Sequence, residues 1–514
     1  MTPDTKRVVI IGAGPAGLTA AYQLSKVSIP SIVLEKDLVV GGLSRTVDHH
    51  GYHFDIGGHR FFTKIPAVQA LWNEVLDESN FPQCQRLSRI LYRKHFFNYP
   101  LTPSNALRGL GLINGLLIVS SYLKAQLFPQ RPEETLEDWV TNRFGQRLYR
   151  IFFKTYTEKV WGIPCDQITA EWAAQRIKGL SLMTAVKNAL LKSQPDSSQP
   201  IIKTIVDAFH YPRKGPGMMW QKVSQMVRDA GHEVRLNSGV EKIIWKPEGV
   251  TAVTVQGVSQ PVSGTHFIST MPIRELIGQL DPDPPEAVLK AARQLHYRDF
   301  LTVALIIDQK DVFADNWIYI HDPAVQVGRI QNFKNWSPAM VPDPEKTCLG
   351  LEYFCFQGDG LWSRGDADLI ELATGELRQL GLLKAEARVE DGAVVRMPKA
   401  YPVYDATYRK ALLQIRQFLD TLPNLFLVGR NGMHKYNNQD HSMFTAMLAV
   451  ENILGAQHEL WKVNSDDEYH EEIQPESASE EQLRLLRSTQ PRVPSRLEDA
   501  RAGLGGEKDP VEII

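Results

Sequence analysis

Cysteine is scarce in this chain of 514 residues: there are four, Cys84, Cys165, Cys348 and Cys355, at spacings that match neither a metal site nor a redox pair. A disulfide-stapled fold is thereby excluded, no metal is expected, and reduced thiols point to the cytoplasm. An excess of charge of one sign is missing as well. Fifty-seven Lys and Arg stand against 59 Asp and Glu, a net charge of −2, so nucleic acid is not an expected partner. No basic segment followed by an apolar stretch precedes the first strand-like run, so no secretory signal is expected. Long apolar runs are absent too. Residues 110–123 come nearest, but Asn114, Ser120 and Ser121 interrupt them, and they fall short of the roughly 20 residues a bilayer span needs. They read as a buried helix, and no integral membrane segment is expected. No internal repeat is visible. What is present, 43% hydrophobic and 23% charged residues, is the ordinary composition of a globular chain with room for two or three domains.

The first informative stretch is residues 7–17, Arg7-Val-Val-Ile-Ile-Gly12-Ala-Gly14-Pro15-Ala16-Gly17. An apolar run feeds G-x-G-x-x-G, and a helical pattern follows over residues 18–26. Gly12 permits the tight turn, Gly14 lets backbone approach a pyrophosphate, and Gly17 lets helix and strand pack closely. The helix start at Pro15 and Ala16 offers N–H groups and a positive dipole end to phosphate. A second apolar run, residues 31–34, ends in Glu35, an acid placed to accept ribose hydroxyls, with Lys36 beside it. Strand, glycines, helix, strand and acid in this order mark a dinucleotide site. The pairs Gly41-Gly42, before Leu43 and Ser44, and Gly57-Gly58, before His59, suggest backbone passing close to something large and flat. Glutamate, Gly-Gly doublet and following Thr46 resemble the large group of FAD proteins that includes amine oxidases and sugar-nucleotide mutases. The resemblance implies FAD as cofactor, held by the residues just named.

The expected fold class is α/β: a Rossmann-like FAD-binding domain in three parts (1–99, 200–290 and 397–460), with an inserted mainly helical domain (100–199) and an inserted antiparallel sheet carrying substrate contacts (291–396). Two alternating runs in residues 234–255, separated by Lys-Pro-Glu-Gly, predict a β-hairpin. In folds of the resembled kind the strand near Val240 supplies backbone contacts to adenine. Residues 265–272 and 424–428 read as strands returning to the dinucleotide domain, the latter ending at Gly429-Arg430 before a helix over 446–454. Residues 461–514 read as a polar tail of disordered composition.

The stretch Phe152-Phe153-Lys154-Thr155-Tyr156-Thr157-Glu158-Lys159-Val160-Trp161-Gly162 closely resembles the Tyr-Thr-Glu-Lys-x-Trp-Gly signature of UDP-galactopyranose mutases. Gly57-Gly58-His59-Arg60-Phe61-Phe62 resembles that family's histidine loop against the flavin. Residues 170–176 and Tyr297-Arg298 resemble its two phosphate-binding arginine segments, and Gly429-Arg430 with Lys435-Tyr436-Asn437-Asn438-Gln439 its C-terminal motif. The matches are colinear over residues 7–455. They imply an isomerase in which N5 of reduced FAD attacks the anomeric carbon while the nucleotide leaves. A covalent adduct then lets the sugar ring reopen and close between pyranose and furanose, without net redox, after reduction by NADPH or NADH. They further imply catalytic roles for His59, Arg176 and Arg298, the two arginines clamping the diphosphate bidentately. Gly429, Arg430, Asn438 and Gln439 would complete the FAD site, and Trp161, Tyr401, Tyr436 and Asn438 the sugar and diphosphate end. Phe152 and Tyr156, four apart on a helix, could stack a uracil; on spacing alone they equally suit core packing.

Departures leave the sugar open: Asn438 stands where bacterial mutases carry an acid, and Thr155 where glycine is common. Two other readings remain, an oxidoreductase like amine oxidases, protoporphyrinogen oxidases or carotenoid desaturases, and a flavin-bound interaction protein without turnover. The expected partner is a small-molecule nucleotide sugar, with a homo-oligomer left open.

Overall fold

The computed structural model describes residues 6–99, 101, 103–170, 208–464 and 493. Arg176 and most of the expected polar tail lie outside the described residues.

The apolar runs Val8–Ile11 and Ser31–Leu34 are buried along their whole length. Such strands need cover on both faces, and they find it inside a parallel sheet flanked by helices. Its order is Leu425–Leu427, His266–Ser269, Val8–Ile11, Ser31–Leu34, Glu233–Arg235, with every pair parallel. The helix Pro15–Lys26 packs against two others, Gly217–Asp229 and Gln439–Ile453. The two strands that return late in the chain therefore sit beside the first, as their apolar runs lead one to expect. The predicted hairpin forms from Val240–Lys246 and Gly249–Val255 with Lys246 opposite Gly249. Gly249 holds φ at +136°, which suits only glycine.

A seven-stranded sheet makes the second core. Its order is Val389–Pro402, Tyr297–Ile307, Thr347–Cys355, Arg329–Asn332, Trp317–Ile320, Ser88–Tyr92, His95–Asn98. Tyr297–Ile307 and Thr347–Cys355 are buried throughout and paired antiparallel in continuous register from Asp299–Cys355 to Ile307–Thr347. The sheet reaches beyond the expected 291–396: it takes two strands from before residue 99 and runs on to Pro402. Ser88–Tyr92 joins because it pairs parallel with Trp317–Ile320, and the ion pair Arg89–Asp315, with Asp315 fully buried, pins that junction.

Among the described residues 103–161, most are helical, with a loop between Leu127 and Leu136. Thr135 and Asp138 form a reciprocal capping box that starts Leu136–Phe144. A π-helical turn at Arg150–Lys154 leads into Thr155–Trp161. One expectation fails. Residues 110–123, read as a buried helix, fall mostly in Leu112–Leu127, which buries only Ile118 and Ala125 and leaves Leu112, Ile113 and Leu116 at 73, 77 and 73% exposure. Ile118, Ala125, Asn114 and Ser121 face the protein, and its leucines do not. Among the described residues no helix is long and apolar enough to cross a membrane.

Candidate active site

The glycine turns meet face to face. Gly12 has φ +101°, and a Cβ on Gly17 would stand 1.9 Å from the Gly12 carbonyl oxygen, so strand and helix touch through backbone. A Cβ on Gly42 would stand 3.2 Å from the Gly14 Cα, and Gly41 donates its N–H to the Ala13 carbonyl at 2.9 Å. Backbone alone thus borders the passage where a pyrophosphate would lie. Pro15 opens the helix beyond it, and Leu43 and Ser44 complete the short turn Gly42–Ser44. Glu35 is buried at the end of its strand; its Oε2 accepts the Ala13 N–H at 2.6 Å and its Oε1 the Asp37 N–H at 2.9 Å. Burial raises its pKa and the two backbone donors pull it back. A carboxylate has about four acceptor sites, so ribose hydroxyls can still be received.

Ser238 donates to the Glu35 carbonyl at 2.7 Å and Asn237 to that of Asp37 at 3.0 Å. These bonds bring Val240 beside the acid, while Lys36 is exposed at the rim. On the far side a Cβ on Gly429 would meet the Ala16 Cβ at 3.2 Å. Asn438 is the N-cap of Gln439–Ile453, and the buried Gln439 Nε2 has no hydrogen-bond partner. A corridor without side chains and an orphaned amide at a helix start fit FAD.

Past the corridor lies the histidine loop. A Cβ on Gly58 would stand 2.9 Å from Gln331 Nε2, and one on Gly57 3.8 Å from Glu352 Oε1, so the loop rests directly on the seven-stranded sheet. His59 Nδ1 is 3.2 Å from the Gly57 carbonyl. Burial first, then the nearby cations Arg430 and Arg329, push its pKa down to about 3. It is neutral at any working pH.

The signature helix divides its residues between two tasks. Tyr156 points inward, stacked on His321 at 4.8 Å and edge-on to Tyr319 at 5.5 Å. Trp161 is buried 6.3 Å from Tyr436, which stacks on Tyr401 at 5.6 Å. Arg430 lies over both tyrosines, 4.8 Å from the Tyr436 ring and 5.3 Å from that of Tyr401, held by the carbonyls of Asn437 and Ala400. Glu158 and Lys159 are structural: Glu158 accepts the Cys165 N–H at 3.2 Å, and Lys159 donates to the carbonyls of Ile320, Asp322 and Val327.

Two sequence assignments change. Phe152 is buried against Phe97 and Tyr92 in the helical core, so of the candidate stacking pair only Tyr156 faces the cleft. Arg298 does not reach out as a clamp: it donates to the carbonyls of Val160, Lys159 and Phe354 at 3.1, 3.2 and 2.7 Å and stacks on Phe356. It caps the end of Thr155–Trp161, where a cation complements the helix dipole. Gly162, at φ +68°, leaves the space it needs: a Cβ there would fall 2.5 Å from the guanidinium.

Sequence reasoning missed a further cation, one that lies beside the rings of Tyr156 and Tyr401. Arg329 pairs directly across the sheet with Glu352, to which it is ion-paired, and Gln331 donates to the same carboxylate at 2.7 Å. Tyr156, Tyr401 and Tyr319 lie close enough to Arg329 to interact with its charge, which places them around it. The one available signal was Glu352, a lone acid in the otherwise uncharged, apolar-rich strand Thr347–Cys355, because a fully buried carboxylate needs a partner. Toward the outer end the guanidinium of Arg60 lies 5.9 Å from the Trp317 ring, and that of Arg86 lies 5.4 Å from Trp317 and 5.8 Å from Tyr99. Tyr99 in turn contacts Tyr319 at 5.0 Å. A row of cations and aromatic faces thus runs from the histidine loop outward.

Residues 15–439 match the family described as flavin-containing amine oxidoreductase. The chain is 24% identical over 496 residues to 15-cis-phytoene desaturase of Synechococcus elongatus, covering 89% of this chain and 98% of that protein. It is also 24% identical over 426 residues to the chloroplastic/chromoplastic 15-cis-phytoene desaturase of Arabidopsis thaliana, covering 77 and 70%. In fold it is similar to a crystal structure of reduced UDP-galactopyranose mutase, with TM-score 0.78, 21% identity, and 90 and 97% of the two chains covered.

Proposed function

The chain belongs to the flavin-containing amine oxidoreductase family, with FAD as its cofactor, and from that premise we propose that it is an isomerase of nucleotide sugars, interconverting pyranose and furanose forms of a UDP-galactopyranose-like substrate. The observation that carries this reading is the fixed guanidinium of Arg329, anchored by Glu352 and surrounded by Tyr156, Tyr319 and Tyr401 beside the histidine loop. A polyene or a simple amine offers nothing to such a cation, whereas a diphosphate does.

Reduced FAD, when bound, supplies the nucleophile for the anomeric carbon, with NADPH or NADH as the reductant. Arg329 and Arg430 receive the diphosphate, joined by Arg176, which the resemblance assigns to the same group. Arg60 and Arg86, with the rings of Tyr99, Trp317 and Tyr319, hold the nucleoside end. Burial pushes the Tyr401 phenol up to about 12 and that of Tyr156 well above its usual value. Both stay protonated and donate hydrogen bonds to phosphate or sugar oxygens. His59, being neutral, adds no charge beside the flavin and orients the loop. Arg298 acts through the helix it caps and so positions Tyr156 and Trp161.

The test is conversion of UDP-galactopyranose, and of a panel of related nucleotide sugars, by dithionite-reduced but not by oxidised protein, followed by chromatography. The second reading, an FAD oxidoreductase, is favoured by the desaturase similarity along 98% of that relative's length. It wins if a polyene or amine reduces the flavin anaerobically while no nucleotide sugar is rearranged.

A further inference from the structure

The helix Leu112–Leu127 turns its larger apolar face outward. Its inner face packs Ile118 and Ala125 and is tied down by Asn114, whose Oδ1 accepts from Arg147 at 2.5 Å, and by Ser121, whose Oγ accepts the Arg147 N–H at 3.1 Å, while the exposed Gln126 donates to the Asn142 carbonyl at 2.7 Å. Close backbone packing seats it as well, since a Cβ on Gly145 would stand 2.7 Å from the Tyr122 nitrogen. The outer face is apolar. At about 100° per residue, Leu112, Leu116, Val119, Leu123 and Leu127 form one stripe with Ile113 at its flank, and all are exposed. Phe128 continues the stripe at 75% exposure. So large an apolar surface on a firmly held helix calls for an occupant.

Charge identifies it. Residues 103–132 carry Arg108, Lys124 and Arg131, all exposed, and no Asp or Glu; the first acids, Glu133 and Glu134, stand just past the stripe's C-terminal end, Glu133 ion-paired with Arg143. A second copy docking by a two-fold axis would set these cations against their own counterparts. Residues 171–207 hold five Lys or Arg and three Asp or Glu, a net of +2, so they repel the same face. Residues 465–483 hold eight Asp or Glu and no Lys or Arg, but among large apolar residues only Tyr469, Ile473 and Leu483, too few to cover the stripe. An apolar stripe about 24 Å long, with Lys124 on the helix and Arg108 and Arg131 near its two ends, suits the headgroup boundary of an anionic bilayer. We propose that Leu112–Leu127 is a membrane-docking helix that lies in the plane of an anionic lipid surface, its leucines among the acyl chains and Arg108, Lys124 and Arg131 at the phosphates.

The test is flotation of the full-length, FAD-loaded protein with vesicles of phosphatidylcholine alone and of phosphatidylcholine mixed with phosphatidylglycerol. Partition into the mixed vesicles, weakened by salt, is expected. The double substitution Leu116→Glu/Leu123→Glu should reduce it roughly tenfold or more at unchanged FAD content, and Lys124→Glu about fivefold on anionic vesicles only. Failure of the unaltered protein to float with either vesicle overturns the proposal, as does equal flotation of the double variant. Light scattering supplies the other arm: a dimer that the same double substitution dissolves makes the face a contact between copies and overturns it too.

Discussion

The dinucleotide module and the cleft beyond it are built on opposite plans. In the module the chemistry is carried by backbone: Gly12, Gly14, Gly17 and Gly42 act by what they lack, and Glu35 is held by two main-chain donors. In the cleft it is carried by long side chains held partly by other segments, Arg329 by Glu352 of the neighbouring strand, and Arg430 by the carbonyls of nearby Asn437 and of Ala400 in Val389–Pro402. A backbone site is defined within a few consecutive residues. A side-chain site is defined only after the sheet has formed, so substitutions should separate the two functions cleanly.

The largest effect belongs to Arg329→Ala. It strands the fully buried Glu352 carboxylate without its partner, which should cost about 3–5 kcal/mol in urea unfolding and lower turnover about a hundredfold or more, with FAD retained in the folded fraction. The double variant Arg329→Met/Glu352→Leu should recover most of the stability and none of the turnover. Recovery of turnover would make the ion pair structural. Next is Gly17→Ala, whose methyl would overlap the Gly12 carbonyl; about 1–3 kcal/mol of destabilisation is expected, together with a lower ratio of flavin to protein absorbance. A variant that keeps its flavin and loses only turnover would erase the division between the two regions. The smallest effect concerns His59, at their junction. Its folded pKa of about 3 lies below the ordinary 6.5, so its contribution to stability is present above pH 6.5 and is lost as pH falls toward 3. His59→Gln should therefore flatten part of the acid limb of stability and leave the shape of the pH–rate profile between about pH 6 and 8 unchanged. A profile limb that disappears with the histidine would mean it titrates during turnover.

How much was legible follows the same division. Val8–Ile11, Ser31–Leu34 and the hairpin turning at Lys246–Gly249 are encoded by short apolar runs and turn residues, which are local properties. Arg298 and Arg329 show the limit. Arg298 stands out in sequence beside Tyr297, yet it is drawn inward by two carbonyls at the end of a helix from another part of the chain and by that of Phe354 on the neighbouring strand. Arg329 sits in an unremarkable polar string and becomes a cleft residue only because its strand pairs with Glu352. Phe152 and Tyr156 share a helical face, but the π-helical turn at Arg150–Lys154 intervenes, and only the second reaches the cleft. The leucines of Leu112–Leu127 invite a core assignment by composition. Asn114 and Ser121, which looked like interruptions, are the residues that hold the helix to the protein.

The parallel sheet seats Val8–Ile11 between a strand from residue 31 onward and one from residue 266 onward, and Gly429 closes on Ala16 from the last segment. On a ribosome, the fingerprint glycines therefore emerge hundreds of residues before the neighbours that finish their pocket. The parallel sheet around those glycines is complete only once synthesis has passed Leu427, so the motif spends most of the chain's translation without its outermost strand.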